Sequence, residues 1–148
     1  MKVSAHARSV DVPKGWDVRI FRRAGAAPVL HLATFPLKEQ DGDFGAAPTG
    51  RMRSGDIFVA LVEYRADKEL RPGHGLFAPQ NLPLPLRADE FGPQQLQVTR
   101  PGQLGVQRFF SQDGHACCLY VVLRPGSRTP TDLVTEVNRV LRTLHFTH

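Results

Sequence analysis

Hydrophobic residues along the first half of the chain alternate with polar ones or form short runs, and both patterns are typical of β-strands. One segment of the chain alternates from Trp16 onwards, so that Trp16, Val18 and Ile20 lie on the same face. This alternation predicts a half-buried strand. The most apolar run in the chain ends at Tyr64, and its β-branched and aromatic content favours a buried strand. The predicted strands of this half cover residues 9–12, 16–22, 29–37 and 57–64.

A β-hairpin is predicted around Asp113-Gly114, because a type I′ turn needs positive φ at both central residues. If these two residues form the loop, Gln112 faces His115 and the two strands have alternating faces. One face is predicted to join the core: Val106, Arg108, Phe110, Cys117, Leu119, Val121 and Leu123. The other face is half polar: Gln107, Phe109, Ser111, Ala116, Cys118, Tyr120 and Val122.

The C-terminal segment predicts an amphipathic helix over residues 130–144. Thr129 is a favourable N-cap, Pro130 fits the first helical position, and Asp132 lies where it can complete a capping box. The apolar stripe that would pack on the sheet consists of Leu133, Val134, Val137, Val140, Leu141 and Leu144.

Two stretches rich in glycine and proline separate these elements. Residues 38–55 carry four glycines and predict an exposed loop that is long for a small domain, and loops of this length are often functional. Residues 71–105 contain too many prolines for a central strand or a long helix. They leave room for one helical turn near residues 88–91 and a short edge strand near 96–99.

The elements together predict one α+β domain over residues 1–148. Its fold would be a twisted, mostly antiparallel sheet of five to seven strands with the 130–144 helix packed on one face. A chain of 148 residues with 41% hydrophobic and 22% charged residues can bury a core without disulfides or metals. The start of the chain lacks the apolar stretch of a secretory signal, and no segment has the length of a membrane span, so a cytoplasmic location is expected.

Two segments resemble the Mog1/PsbP-like family of α/β domains. One is Val10-Asp11-Val12-Pro13-Lys14-Gly15-Trp16, a short strand that ends in Pro-x-Gly-Trp. The other is the C-terminal helix segment, residues 137–146. The resemblance implies a non-catalytic binding or accessory domain that acts on a larger partner, but it names no partner.

The net charge of +5 raises the possibility of nucleic-acid binding, since arginine binds phosphates and base edges well. The basic residues are scattered, however, and no predicted helix carries a basic stripe. Nucleic-acid binding is therefore the weakest of three alternatives.

Catalytic, cofactor and metal sites are not predicted. The adjacent cysteines, Cys117 and Cys118, fall on opposite faces of one strand, and strand cysteines are usually buried small hydrophobes. The histidines lack metal-ligand spacing, and His31, in an apolar strand, is expected to be a hydrogen-bonded core residue. Glycine-rich loops at residues 42–45 and 73–75 match no nucleotide-binding pattern.

Four residues are candidates for binding. Glu63 and Arg108 each interrupt an apolar strand face, so they are expected to pair with each other, to line a pocket, or to reach water at strand ends. Phe109 and Tyr120 are expected to form an exposed contact patch for a protein partner or a second copy of the chain. The leading hypothesis is thus a non-enzymatic protein-binding domain. The alternative is a ligand-binding protein or small enzyme with a pocket between the 38–55 loop and the sheet.

Overall fold

Antiparallel pairing organises the chain into two sheets and confirms the α+β class. The computed structural model describes residues 1–39, 41–67 and 70–147, so His148 lies outside the described residues. The strands are β1 (Lys2–Ala5), β2 (Arg8–Asp11), β3 (Asp17–Phe21), β4 (Val29–Ala33), β5 (Asp56–Tyr64), β6 (Leu104–Gln112), β7 (His115–Arg124) and β8 (His145–Phe146). The helices are the one-turn α1 (Ala46–Thr49) and the longer α2 (Pro130–Leu141).

The larger sheet has five strands in the order β3-β4-β5-β7-β6, within the expected range. Its best-predicted part is the β6–β7 hairpin, where Gln112 pairs with His115 and Arg108 with Leu119 as expected. Asp113 and Gly114 have φ angles of 50° and 79°, the left-handed values that the turn needs. Local turn chemistry therefore sets the register of the whole hairpin.

The first face of this sheet packs against α2 and the smaller sheet, which has the order β1-β2-β8. The Thr129 hydroxyl accepts a hydrogen bond from the Asp132 amide at 3.1 Å, so the predicted N-cap is confirmed. The helix ends at Leu141 rather than at residue 144, but Leu144 remains buried in the turn that follows. Residues from all these elements form the first core cluster, which includes Leu30, Ile57, Val59, Leu119, Leu133 and Val137.

The second face of the sheet is covered by loops. The expectation that residues 38–55 form an exposed loop is wrong for much of the segment, because α1 and its neighbours pack on the sheet. Met52 is buried, and the Phe44 ring contacts that of Tyr120 at a centroid distance of 6.0 Å. Buried residues on this side form the second core cluster: Val29, Ala33, Met52, Phe58, Ala60, Val62, Tyr120 and Val122.

Other boundaries differ from the predictions for local reasons. β4 ends at Ala33 instead of continuing to residue 37. In the residues that follow, the Thr34 hydroxyl donates to the Asp56 side chain, and Pro36 has no backbone N–H to donate. The predicted turn near residues 88–91 is confirmed as a 3₁₀ turn, Ala88–Glu90. The predicted edge strand at 96–99 is wrong, since these residues are irregular. No helix in the described ranges has the length and apolar character needed to cross a bilayer.

Candidate functional site

The predicted exposed patch at Phe109 and Tyr120 is not present. Tyr120 is only 2% exposed, and its hydroxyl accepts a hydrogen bond from the Gln97 amide at 2.7 Å. Phe109 is half-buried, with its ring 5.8 Å from that of Phe77. The segments that cover these rings come from the two glycine- and proline-rich stretches, whose packing the strand pattern could not reveal.

Glu63 does not pair with Arg108; its partners are Arg8 and His115. Arg8 Nη2 donates to Glu63 Oε1 at 2.5 Å, and His115 Nδ1 lies 3.1 Å from Glu63 Oε2. The Arg8 side chain is 1% exposed and the Glu63 side chain 14%. The guanidinium also lies over the Phe146 ring, against which His115 stacks. This buried cluster joins β2, β5, β7 and β8 and is structural in character.

Arg108 finds a different carboxylate, that of Glu90, which sits in the 3₁₀ turn. Arg108 Nη2 donates to Glu90 Oε2 at 2.7 Å, and Nη1 donates to Gln95 Oε1 at 3.1 Å. The Arg108 side chain is 33% exposed, so it reaches water at the edge of the sheet. The hypothesis that Glu63 and Arg108 form a pair is therefore wrong, because Glu63 pairs with Arg8 and Arg108 pairs with Glu90.

The thiols and histidines offer little reactive chemistry. Burial raises the pKa of Cys117 to about 12 and that of Cys118 to about 11, so both thiols are protonated near neutral pH. His31 is the hydrogen-bonded core residue expected, since its Nε2 lies 2.8 Å from the Asp43 carbonyl oxygen and must carry the proton. Burial lowers the pKa of His31 to about 4. Among the described residues, no group of three or more His, Cys, Asp or Glu could hold a metal ion.

One edge of the five-stranded sheet, β6, is largely closed by neighbouring loops. Gly92 and Gly105 exchange two backbone hydrogen bonds of 3.0 Å each. The Gln107 amide donates to the Gln95 side chain, and the Ser111 amide donates to the Pro79 carbonyl. Loops that occupy backbone groups in this way prevent another strand from pairing with the edge.

The opposite edge, β3, pairs with no further strand in the described residues, although β1 of the smaller sheet lies close to it. Its pairing with β4 joins Arg19 to His31 and Phe21 to Val29. Along a strand with a neighbour on each side, successive residues direct their backbone groups to alternate neighbours. The β4–β5 bonds show which residues of β4 bond to β5, and the residues between them bond to β3. By the same alternation, the backbone groups of Val18 and Ile20 point away from β4 and from the sheet. The Val18 amide is satisfied by the Asp17 side chain at 2.9 Å, whereas no hydrogen bond from the Ile20 amide is found within the described ranges.

Basic and aromatic side chains lie along this open edge. The guanidinium groups of Arg19 and Arg23 each lie 4.9 Å from the centre of the Phe21 ring. Arg19 also donates to the Lys38 carbonyl at 2.7 Å, and Arg23 pairs with Asp43. The exposed Arg22 side chain has no partner in the part of the chain that the structure describes. The edge therefore presents a backbone donor beside positive charge.

A cleft of about 550 Å³ lies where the sequence predicted a pocket, between the 38–55 loop and the sheet. Its polar lining comes mainly from Lys38, Arg51, Arg53 and Asp56. Asp41, behind Arg51, receives two hydrogen bonds from that guanidinium at 3.0 and 3.1 Å. Burial alone would raise the pKa of Asp41, but the bonds from Arg51 and from the Lys38 amide hold it below its usual value.

None of the four candidate residues belongs to the open edge or lines the cleft. The sequence signal for this edge was the group of basic and aromatic residues Arg19, Phe21, Arg22 and Arg23, which lies at the end of the alternating segment. Comparison of the chain with models of protein families, with curated proteins and with solved structures finds no match. The resemblance to the Mog1/PsbP-like family therefore stays a prediction.

Proposed function

We propose that this chain is a non-catalytic, protein-binding accessory domain that accepts an extended, acidic segment of a partner as an additional strand on β3. The observation that carries the proposal is the contrast between the two edges of the large sheet. β6 is covered by loops along most of its length, whereas β3 leaves outward backbone groups at Val18 and Ile20. An exposed edge is a ready template for strand addition.

Charge favours an acidic segment over a second copy of this chain. Arg19, Arg22 and Arg23 lie on or beside β3, and of these only Arg23 pairs with a carboxylate among the described residues, that of Asp43. The nearby Asp17 carboxylate accepts from the Val18 and Leu37 amides. Two copies that each carry a net charge of +5 repel one another. A partner strand with alternating carboxylates complements the edge instead.

The other functions considered have less support. Within the described residues, six arginines form ion pairs with carboxylates, which weakens the case for a nucleic-acid surface. An apolar docking patch also lacks support, because the exposed large hydrophobic residues in the described ranges are the separated Met1, Leu76 and Val98. The resemblance to the Mog1/PsbP-like family implies a binding role as well, and a cytoplasmic location remains part of the proposal.

The proposal is tested with two fluorescent eight-residue peptides, one alternating valine with glutamate and the other alternating valine with lysine. We expect the acidic peptide alone to bind, with affinity that falls as salt rises. Binding should slow hydrogen exchange at the Ile20 amide. Ile20→Pro removes this outward donor at an edge position where proline is tolerated, so it should abolish binding while the fold persists by circular dichroism.

Arg22→Gln should weaken peptide binding, whereas Arg139→Gln, on the exposed face of α2, serves as the matched control. Equal binding of both peptides, or unchanged binding by Ile20→Pro, would overturn the proposal. A wild-type dimer in sedimentation that Ile20→Pro converts to a monomer would assign the edge to a second copy. Tight binding of a DNA duplex that survives Ile20→Pro would favour nucleic acid.

A further inference from the structure

The cleft between the 38–55 loop and the sheet has the size of a small-molecule site. Its volume of about 550 Å³ lies within the range of about 300–1,000 Å³ for ligand pockets. Phe35 and Pro36 form an apolar wall, and the cationic side chains of Lys38, Arg51 and Arg53 line the rest. It lies close to β3, since Arg19 donates to the Lys38 carbonyl, but Val18 and Ile20 do not line it.

Hydrogen bonds to backbone groups hold both cationic segments of the cleft in place. The Asp41 carboxylate accepts from the Lys38 amide at 2.9 Å, and the Asp41 amide returns a bond to the Lys38 carbonyl. On the other side, Asp56 accepts from the Arg53 amide at 2.8 Å and from the Thr34 hydroxyl at 2.8 Å. A cleft whose walls are fixed before a ligand arrives loses little conformational entropy on binding.

These bonds also decide which charges are free. Asp41 neutralises much of the charge of Arg51, and both oxygens of Asp56 are already engaged. By contrast, the exposed side chains of Lys38 and Arg53 form no ion pair or hydrogen bond within the residues described. Two cations without an ion-pair partner in the described ranges, together with the Asp56 carboxylate, thus line a cleft that has an aromatic wall.

We infer that this cleft binds a small oxyanion, a carboxylate or a phosphate, that is attached to an apolar or planar group. Lys38 and Arg53 hold the oxyanion through charge-assisted hydrogen bonds, and the guanidinium fork of Arg53 suits either anion. Phe35 and Pro36 contact the apolar body of the ligand. No residue that lines this cleft belongs to β3, although Arg19 of β3 donates to the Lys38 carbonyl.

The test uses phenyl phosphate and benzoate as probes, and inorganic phosphate and phenol represent the two separated parts of phenyl phosphate. In amide NMR spectra, we expect both complete probes to shift the resonances of Phe35, Lys38 and Arg53. Phenyl phosphate should bind at least tenfold more tightly than inorganic phosphate or phenol. The stronger of the two complete probes shows whether phosphate or carboxylate is the preferred anion.

Variants then assign the contacts. Lys38→Gln and Arg53→Gln should each weaken phenyl phosphate binding about tenfold, since a hydrogen bond to a charged group is lost. The control variant Arg139→Gln should bind as the wild type does. Ile20→Pro should also retain phenyl phosphate binding, so failure of the peptide proposal is separable from failure of this one.

Two results would overturn the inference. One is the absence of shifts at these amides with 10 mM of either complete probe, a concentration on the order of tenfold above a millimolar dissociation constant. The other is binding that both Lys38→Gln and Arg53→Gln leave unchanged. Inorganic phosphate that binds as tightly as phenyl phosphate would remove the role of Phe35 and Pro36 and reject the ligand class.

Discussion

Replacing Glu63 by glutamine is expected to destabilise the fold strongly, because it leaves the buried Arg8 charge without a counter-ion. The Arg8 side chain is 1% exposed, and its Nη2 lies 2.5 Å from Glu63 Oε1. Arg8 Nη1 is buried without a hydrogen-bond partner in the described residues, so the guanidinium depends heavily on this carboxylate. Glutamine keeps the size of the side chain and removes only its charge.

The expected magnitude follows from two estimates that agree. Two unit charges about 4 Å apart attract by about 4 kcal/mol at an effective dielectric constant near 20. Removal of one partner from a buried ion pair typically costs about 3–5 kcal/mol. The glutamine amide oxygen can still accept one hydrogen bond, which places the loss at the low end of this range. We therefore expect Glu63→Gln to lower the free energy of unfolding by about 3 kcal/mol.

Urea unfolding followed by the fluorescence of Trp16, the single tryptophan, measures this change. The exposed pair Arg87–Asp89, with side chains 70% and 65% exposed, provides the control. Asp89→Asn should cost less than about 0.5 kcal/mol. The double variant Arg8→Met, Glu63→Gln should recover much of the loss, because it removes the isolated charge. A Glu63→Gln variant within about 0.5 kcal/mol of the wild type would refute the reasoning.

Three further predictions test the packing and titration of the core. Gly45→Ala should cost about 2–4 kcal/mol in urea unfolding, because Gly45 has a φ of 72° and an added Cβ would lie 2.3 Å from the Phe58 ring. Gly15→Ala, with a φ of 90° and open space around it, should cost only about 1 kcal/mol, and equal costs would contradict the contact. Since burial lowers the pKa of His31 to about 4, below its ordinary 6.5, the unfolded chain takes up this proton first as the pH falls. Stability from this group is complete above pH 6.5 and declines by about 3 kcal/mol towards pH 4; His31→Gln should flatten that slope, and an unchanged slope would argue against a buried neutral imidazole. Finally, Cys117 and Cys118 should resist iodoacetamide at pH 8 in the folded protein and react when it is unfolded, since burial raises both pKa values; labelling of either thiol within minutes in the native state would contradict this.

The sequence predicts best where neighbouring residues determine the structure. Asp113-Gly114 specifies a two-residue turn, and that turn fixes the register of strands nine and ten residues long. Thr129 and Pro130 specify where α2 begins. Each of these signals acts over a few residues, so no knowledge of the tertiary fold is required. The two short strands β1 and β8 give no such signal, and both were missed.

The candidate site depended on contacts that are distant in sequence. Glu63 and Arg108 were recognised as charges that need partners, but Arg8 lies 55 residues from Glu63 and Glu90 lies 18 residues from Arg108. Tyr120 belongs to a half-polar strand face, which is a pattern equally compatible with water and with a covering loop. The choice between them depends on where residues 38–55 fold, and alternation within β7 carries no information about that.

The packing of the 38–55 loop links the stability of the fold to the cleft. Its apolar residues Phe44 and Met52 bury the second face of the sheet, and this anchors Asp41 and Arg51 at the rim. Because Asp41 pairs with Arg51 and the oxygens of Asp56 accept from the Arg53 amide and the Thr34 hydroxyl, neither carboxylate forms an ion pair with Lys38 or Arg53. Structural hydrogen bonds therefore produce the electropositive character of the cleft. A change that loosens the loop, such as Gly45→Ala, should weaken phenyl phosphate binding without altering any lining residue, while Gly15→Ala should leave it intact.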